Sequence, residues 1–177
     1  RELGAELLEI PTIKLVPPSS NAPLIEAVTG IGSYDWIFFT SANGVEHFFD
    51  YFFKAFRDVR DLGSIRFAAV GPATADELRA TGLRADLAAK SLGGMQALAD
   101  KITGEFRGTY LYPCSDAAPV EKRGTLLSNV GVSLNAHIFY RNDRVDEKVL
   151  PRLHFDRVLF TSASTVDAYF ENYPEEK

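Results

Sequence analysis

The chain has 177 residues, long enough to bury a core as one medium domain or two small ones, and 24 acidic against 19 Lys and Arg side chains give a net charge of -5. That sign argues against nucleic acid or an anionic membrane surface as partner. A single cysteine, Cys114, excludes an internal disulfide; with no signal-peptide pattern and no apolar run near 18 residues, this points to a reducing compartment, the cytoplasm.

The chain opens on RELGAELLEIPTIKL, which reads as the end of a helix running into a strand over Leu8–Val16. It stops soon after a new helix begins, so terminal sections of a longer protein are expected to lie outside this sequence. From there short apolar runs alternate with amphipathic stretches of helical length, the pattern of β-α-β units around a mainly parallel sheet. Strands are expected at Asp35–Thr40, Arg66–Val70, Ala85–Ala88, Thr109–Tyr112, Ser133–Tyr140 and Arg157–Thr161. Helices are expected at Leu24–Thr29, Asn43–Phe56, Ala73–Thr81, Gly94–Thr103, Val120–Asn129 and Thr165–Glu171. Gly82, Gly104 and Gly131 stand where a left-handed residue closes a helix. The phenylalanine-rich FFDYFFKAF, at Phe48–Phe56, is expected to form core with an edge reaching solvent.

One strand-to-helix junction is written twice: DWIFFTSANGVEHFF from Asp35 and DRVLFTSASTVDAYF from Asp156. Two extended stretches, EIPTIKLVPPSS and LNAHIFYRNDRVDEK, flank the interior units and look like crossings between two lobes. The expected fold class is therefore α/β: two lobes with parallel sheets flanked by helices, joined by a two-stranded extended linker. Residues 1–16 with 142–177 would make one discontinuous, incomplete lobe, and 17–141 the other. The second FTS junction then begins the corresponding part of the other lobe.

Open parallel sheets bind ligands beyond the carboxyl ends of their strands, where helix N-termini present unpaired N–H groups. Both FTS copies lie there, with Thr40 and Ser41 in one and Thr161 and Ser162 in the other. Asn43 with Glu46, and Ser164 with Asp167, have capping-box spacing. VGPATADEL adds Gly71 and Thr74, and YPCSDAAPVEKR adds Ser115. These residues either cap helices, at about 1 kcal/mol each, or surround an anionic ligand with neutral donors. His47, His137, His154 and Cys114 have no metal-ligand spacing. No GxGxxG, P-loop or GxSxG pattern occurs, and no histidine is placed to activate Cys114.

Four segments in order, DWIFFTSANGVEHFF, FAAVGPATADELRATGL, GTYLYPCSDAAPVEKRGTLLSNVGV leading to IFYRND, and DRVLFTSASTV, resemble the uroporphyrinogen-III synthase family. The resemblance runs through nearly the whole chain, but the family's opening strand and closing section are absent. It implies two α/β domains joined by paired linkers, and an enzyme that converts hydroxymethylbilane, a linear tetrapyrrole with eight carboxylates, into uroporphyrinogen III. In that reaction water is lost and the D ring is inverted through a spiro intermediate. The resemblance implies no metal or organic cofactor, and either a monomer or a synthase domain fused to a uroporphyrinogen methyltransferase.

By the same resemblance Tyr140, in IFYRND, matches a linker tyrosine that meets the departing hydroxyl as acid or orienter; the alternative is an aromatic packed between the crossings. Ser41, Ser162 and Thr74 match residues that contact substrate carboxylates, while the side chains of Thr40 and Thr161 either join them or turn into the core. Lys14, Arg141 and Arg144, near the linkers, are expected to add positive charge. Without the resemblance, the residues describe a two-lobed, non-catalytic module that binds a small anion.

Overall fold

The computed structural model describes residues 4, 6–89, 94–145, 156–160 and 162–173. The chain divides into two compact units, Arg1–Val16 with Asn142–Lys177, and Pro17–Arg141. The elements in chain order are β1 (Ile13–Val16), α1 (Ala22–Thr29), β2 (Trp36–Phe39), α2 (Ala42–Ala55), β3 (Arg66–Val70), α3 (Pro72–Ala80), β4 (Leu87–Ala89), α4 (Gly94–Ala99), β5 (Gly108–Ser115), α5 (Val120–Ser128), β6 (Val132–Arg144) and α6 (Ala163–Asn172). Strand order in the sheet is β1-β6-β5-β2-β3-β4. The pairs β5–β6, β2–β5, β2–β3 and β3–β4 are all parallel. The α/β class read from the sequence is the observed one.

Strand β2 shows why the larger unit folds as it does. Its four residues, WIFF, are all fully buried, as a central parallel strand covered on both faces must be. Trp36 and Phe38 point to one face, where Trp36 stacks on Tyr110 at 5.4 Å and Phe38 meets Tyr112 at 5.1 Å. Leu98 of α4 and Leu127 of α5 close that layer. On the opposite face Phe39 meets Phe48 of α2 edge to face at 5.7 Å. Phe48, Phe49 and Phe52 are buried while Phe53 is 49% exposed, so FFDYFFKAF is core with one solvent edge, as its spacing predicts.

Gly82 and Gly131 take φ 85° and 84°, the left-handed closure expected of them. Gly104 does not close a helix that runs to Thr103. Helix α4 stops at Ala99, and Gly104 instead opens a short 3-10 turn, Gly104–Phe106. Gly108 is constrained more tightly: its φ is 140°, and a Cβ there would lie 2.5 Å from Asp35 Oδ2, the atom that accepts from Thr109 N at 2.8 Å. Gly108→Ala should therefore lose about 1–3 kcal/mol from backbone strain alone, seen as a lower Tm. Gly124→Ala, inside α5 with nothing within 4 Å of the added carbon, should instead gain up to about 1 kcal/mol.

The first and the last of the expected strands fall well short of their expected spans. The first covers Ile13–Val16 only, because Pro11 has no N–H to give a ladder and restricts the residue before it. The strand expected at Arg157–Thr161 is not formed over 157–160, and Thr161 lies outside the described residues. A strand needs a hydrogen-bonding neighbour; none pairs with 157–160 among the described residues, and Val158 and Leu159 are 53% and 85% exposed. In this smaller unit Val145 N donates to Thr12 O at 3.1 Å, and Asn172 Nδ2 donates to Val145 O at 3.0 Å.

Candidate functional site

Because its strands are parallel, the larger unit collects its strand-to-helix junctions on one edge. Thr40 and Ser41 follow β2, Gly71 follows β3 and Ser115 ends β5. Tyr140 lies opposite Ser115 in the β5–β6 register, and so reaches the same edge although β6 continues past it.

Ser41 caps α2: its backbone is extended (φ -154°, ψ 154°) and its Oγ accepts from Gly44 N at 3.0 Å. Ser162 caps α6 with almost the same backbone (φ -158°, ψ 161°), accepting from Thr165 N at 3.3 Å, while Thr165 Oγ1 accepts from Ser162 N at 3.3 Å. The repeated FTS motif is thus a repeated cap, set two residues earlier than the Asn43/Glu46 and Ser164/Asp167 spacings suggest. Asn43 and Ser164 already lie inside their helices, whereas a capping residue needs non-helical backbone.

Gly71 caps α3 with φ 88° and no side chain to bond, followed by Pro72. Thr74, in the first turn of that helix, is 3% exposed.

Two short networks meet at this edge. Ser41 Oγ is 3.0 Å from Tyr140 Oη, and the His47 imidazole stacks on the Tyr140 ring at 4.8 Å and 21°. Thr40 Oγ1 is 3.1 Å from Tyr112 Oη and accepts from Arg123 Nη1 at 3.1 Å, so its hydroxyl links a core tyrosine to the half-buried arginine. The Arg123 guanidinium also lies 5.4 Å from the Tyr112 ring centre. Burial lowers the Arg123 pKa from its ordinary value, and the neighbouring Tyr140 opposes that shift.

Of the residues expected from sequence, the fold brings together Thr40, Ser41 and Tyr140, with Ser115 beside them: Asp116 N donates to Tyr140 O at 3.3 Å. Gly71 and Thr74 occupy the next junction along. Ser162 belongs to the other unit, and Thr161 lies outside the described residues.

Sequence reading did not single out Arg123, Tyr112 or the position of His47. One signal was available for Arg123: four residues into a helix, a long side chain leans back toward the helix N-terminus and the strand end beside it. Arg144 is less useful than expected as a free cation, since it is paired with Glu171; Arg141 Nη1 donates to Ser19 Oγ at 2.7 Å.

Cys114 is buried with its Sγ donating to His137 O at 3.4 Å. Burial pushes its thiol up to about 12, so it stays protonated near neutral pH and is a poor nucleophile. Among the described residues no group of three or more His, Cys, Asp or Glu side chains could hold a metal ion. No helix among them is long and apolar enough to cross a membrane.

Comparison with known proteins gives one family. The family model described as uroporphyrinogen-III synthase HemD matches residues 1–177. The chain is 30% identical over 178 residues to the porphyrin biosynthesis protein HemD of Ruminiclostridium josui, covering 96% of this chain and 35% of that protein. It is 38% identical over 86 residues to the uroporphyrinogen-III synthase of Synechococcus elongatus, covering 49% of this chain and 32% of that protein. The chain thus spans about a third of the length of these curated relatives.

A crystal structure of a mutant uroporphyrinogen III synthase from the extremely thermophilic bacterium Thermus thermophilus has the same fold, with a TM-score of 0.67 at 21% identity, over 97% of this chain and 69% of that one. The uroporphyrinogen-III synthetase of Helicobacter pylori matches with a TM-score of 0.53 at 17% identity, over 92% and 70%. The four ordered motifs, the parallel sheet with its junctions on one edge and the match along all 177 residues agree, and the chain belongs to the uroporphyrinogen-III synthase HemD family.

Proposed function

We propose that the protein containing this chain cyclises hydroxymethylbilane to uroporphyrinogen III, with Tyr140 assisting departure of the hydroxyl and the strand-end residues holding the folded substrate. The observation that carries this reading is the 3.0 Å contact between Tyr140 Oη and Ser41 Oγ. Gly44 N–H donates to Ser41 Oγ. With the serine hydroxyl then donating to the phenol oxygen, the chain of donors runs from the helix N-terminus toward Tyr140. That direction leaves the phenol proton for a substrate and supports the phenolate that its transfer creates.

The proposed step is balanced within substrate and protein. The Tyr140 proton goes to the hydroxyl as its C–O bond breaks, water leaves, and the positive charge spreads onto the attached pyrrole. Ring closure through the spiro intermediate ends with loss of a proton from carbon, which restores the phenol. The remaining work is positioning: the chain must be held so that inverted closure is nearer than direct closure.

Thr40, Ser41, Gly71, Thr74, Ser115, Thr161 and Ser162 are the proposed holding residues. The division into 17–141 and 1–16 with 142–177 is proposed to be the family's two-domain arrangement, in a monomeric cytoplasmic enzyme or the synthase part of a fusion. Freshly made hydroxymethylbilane should disappear faster with the full-length protein than without it, and equally fast after dialysis against a strong chelator. Consumption at the spontaneous rate would leave only a binding module.

A further inference from the structure

We propose that Arg123, together with the cavity between α4 and α5, forms a carboxylate-binding subsite that takes one acidic side arm of the substrate. This rests on the functional reading above for the identity of that substrate, while the subsite itself rests on geometry.

Arg123 is half-buried, and the one hydrogen bond of its guanidinium among the described residues is to a neutral hydroxyl, Thr40 Oγ1 at 3.1 Å. It has no carboxylate partner among them. The contrast with two other arginines is informative: Arg60 and Arg79 pair with Asp58 and Asp76 at exposed positions, where such a pair contributes little. A cation withdrawn from water without a counter-ion is costly, and four of the five guanidinium N–H groups are not used by Thr40. An incoming carboxylate would meet the planar fork suited to two parallel hydrogen bonds.

The same residue lines a cavity of about 590 Å³, within the size range of small-molecule sites. Met95, Pro119 and Leu126 give it apolar walls, Lys122 and Arg123 give it two cations, and no Asp or Glu among the described residues lines it. In a chain of net charge -5 that local sign is unusual. Apolar walls with two cationic residues among the lining fit a pyrrole edge carrying a carboxylate arm. Through Thr40, next in sequence to the Ser41 that contacts Tyr140, Arg123 joins the cavity to the Tyr140 edge.

The test uses the full-length protein and uroporphyrin III, a stable fluorescent octacarboxylate, titrated into wild type, Arg123→Gln, Arg123→Lys and the cavity-filling Leu126→Trp. Tm is measured for each, and only folded variants are compared. Arg123→Gln should weaken binding about 10- to 100-fold, Arg123→Lys should recover part of it, and Leu126→Trp should weaken binding with Arg123 intact. In turnover the Arg123→Gln loss should appear as a raised KM, with kcat held within about threefold.

Unchanged affinity in Arg123→Gln, or in Leu126→Trp, would overturn the subsite, as would a fall in kcat at constant KM. The functional reading fails separately: wild type that binds uroporphyrin through Arg123 yet does not accelerate hydroxymethylbilane consumption would sink the proposed reaction and leave the subsite standing.

Discussion

Tyr140→Phe is expected to slow turnover by about 10²- to 10⁴-fold, the scale of a lost general acid, while the product remains isomer III. The ring stays: Phe keeps the stacking on His47 at 4.8 Å and loses only the hydroxyl that meets Ser41 Oγ at 3.0 Å. Holding of the folded substrate should therefore survive, and only departure of the hydroxyl should suffer. Sequence reading gives Ser41 the separate task of gripping a carboxylate, but the contact couples it to Tyr140.

Ser41→Ala should accordingly lower the rate about 3- to 10-fold through a lost hydrogen bond and also raise the fraction of isomer I. Loss of the cap at Gly44 N should cost about 1 kcal/mol of stability. Added to Tyr140→Phe, Ser41→Ala should slow turnover little further, since coupled residues are not additive. Single-turnover rates and isomer ratios on the four proteins decide this. Full additivity, or a Tyr140→Phe protein that releases isomer I at the wild-type rate, would show that the hydroxyl does not act as described.

Phe48→Ala should give the largest loss of stability, about 3–5 kcal/mol. Phe48 is fully buried and its ring lies 5.7 Å from Phe39, 5.1 Å from Phe49, 5.9 Å from Phe52 and 5.8 Å from Phe139. It therefore ties α2 to both β2 and β6, and its removal opens a cavity that several elements share. Phe53→Ala, at a position 49% exposed, should cost about 1 kcal/mol or less. Urea unfolding of both variants checks the contrast; equal losses would mean that the helix is held by its aromatic composition and not by this packing.

The fold was legible where one rule decides. Arg66–Val70 forms residue for residue as read, because its apolar run is short and bounded. The strands beginning at Thr109 and Ser133 extend further than their patterns suggest, to Gly108–Ser115 and Val132–Arg144; the added residues of the first, Gly108 and Pro113 to Ser115, are all in parallel register with the second, which periodicity leaves out.

The site was legible as a set of junctions and less so as contacts. Placing the cap at Ser41 and not Asn43 depends on backbone angles, which spacing does not encode. That Thr40 turns toward Tyr112 and Arg123, and that Arg123 has no acidic partner among the described residues, depend on how α5 docks on the sheet. The same reason explains 157–160: an apolar run proposes a strand, but only a neighbour with free backbone groups makes one.

The most direct measurement is the isomer composition of the product. Freshly generated hydroxymethylbilane is given to the full-length protein, the product is oxidised to the porphyrin, and its isomers are separated by chromatography beside a reaction without protein. The protein reaction should yield predominantly uroporphyrin III and the control isomer I. Isomer I in both, at equal rates, would contradict the proposed cyclisation.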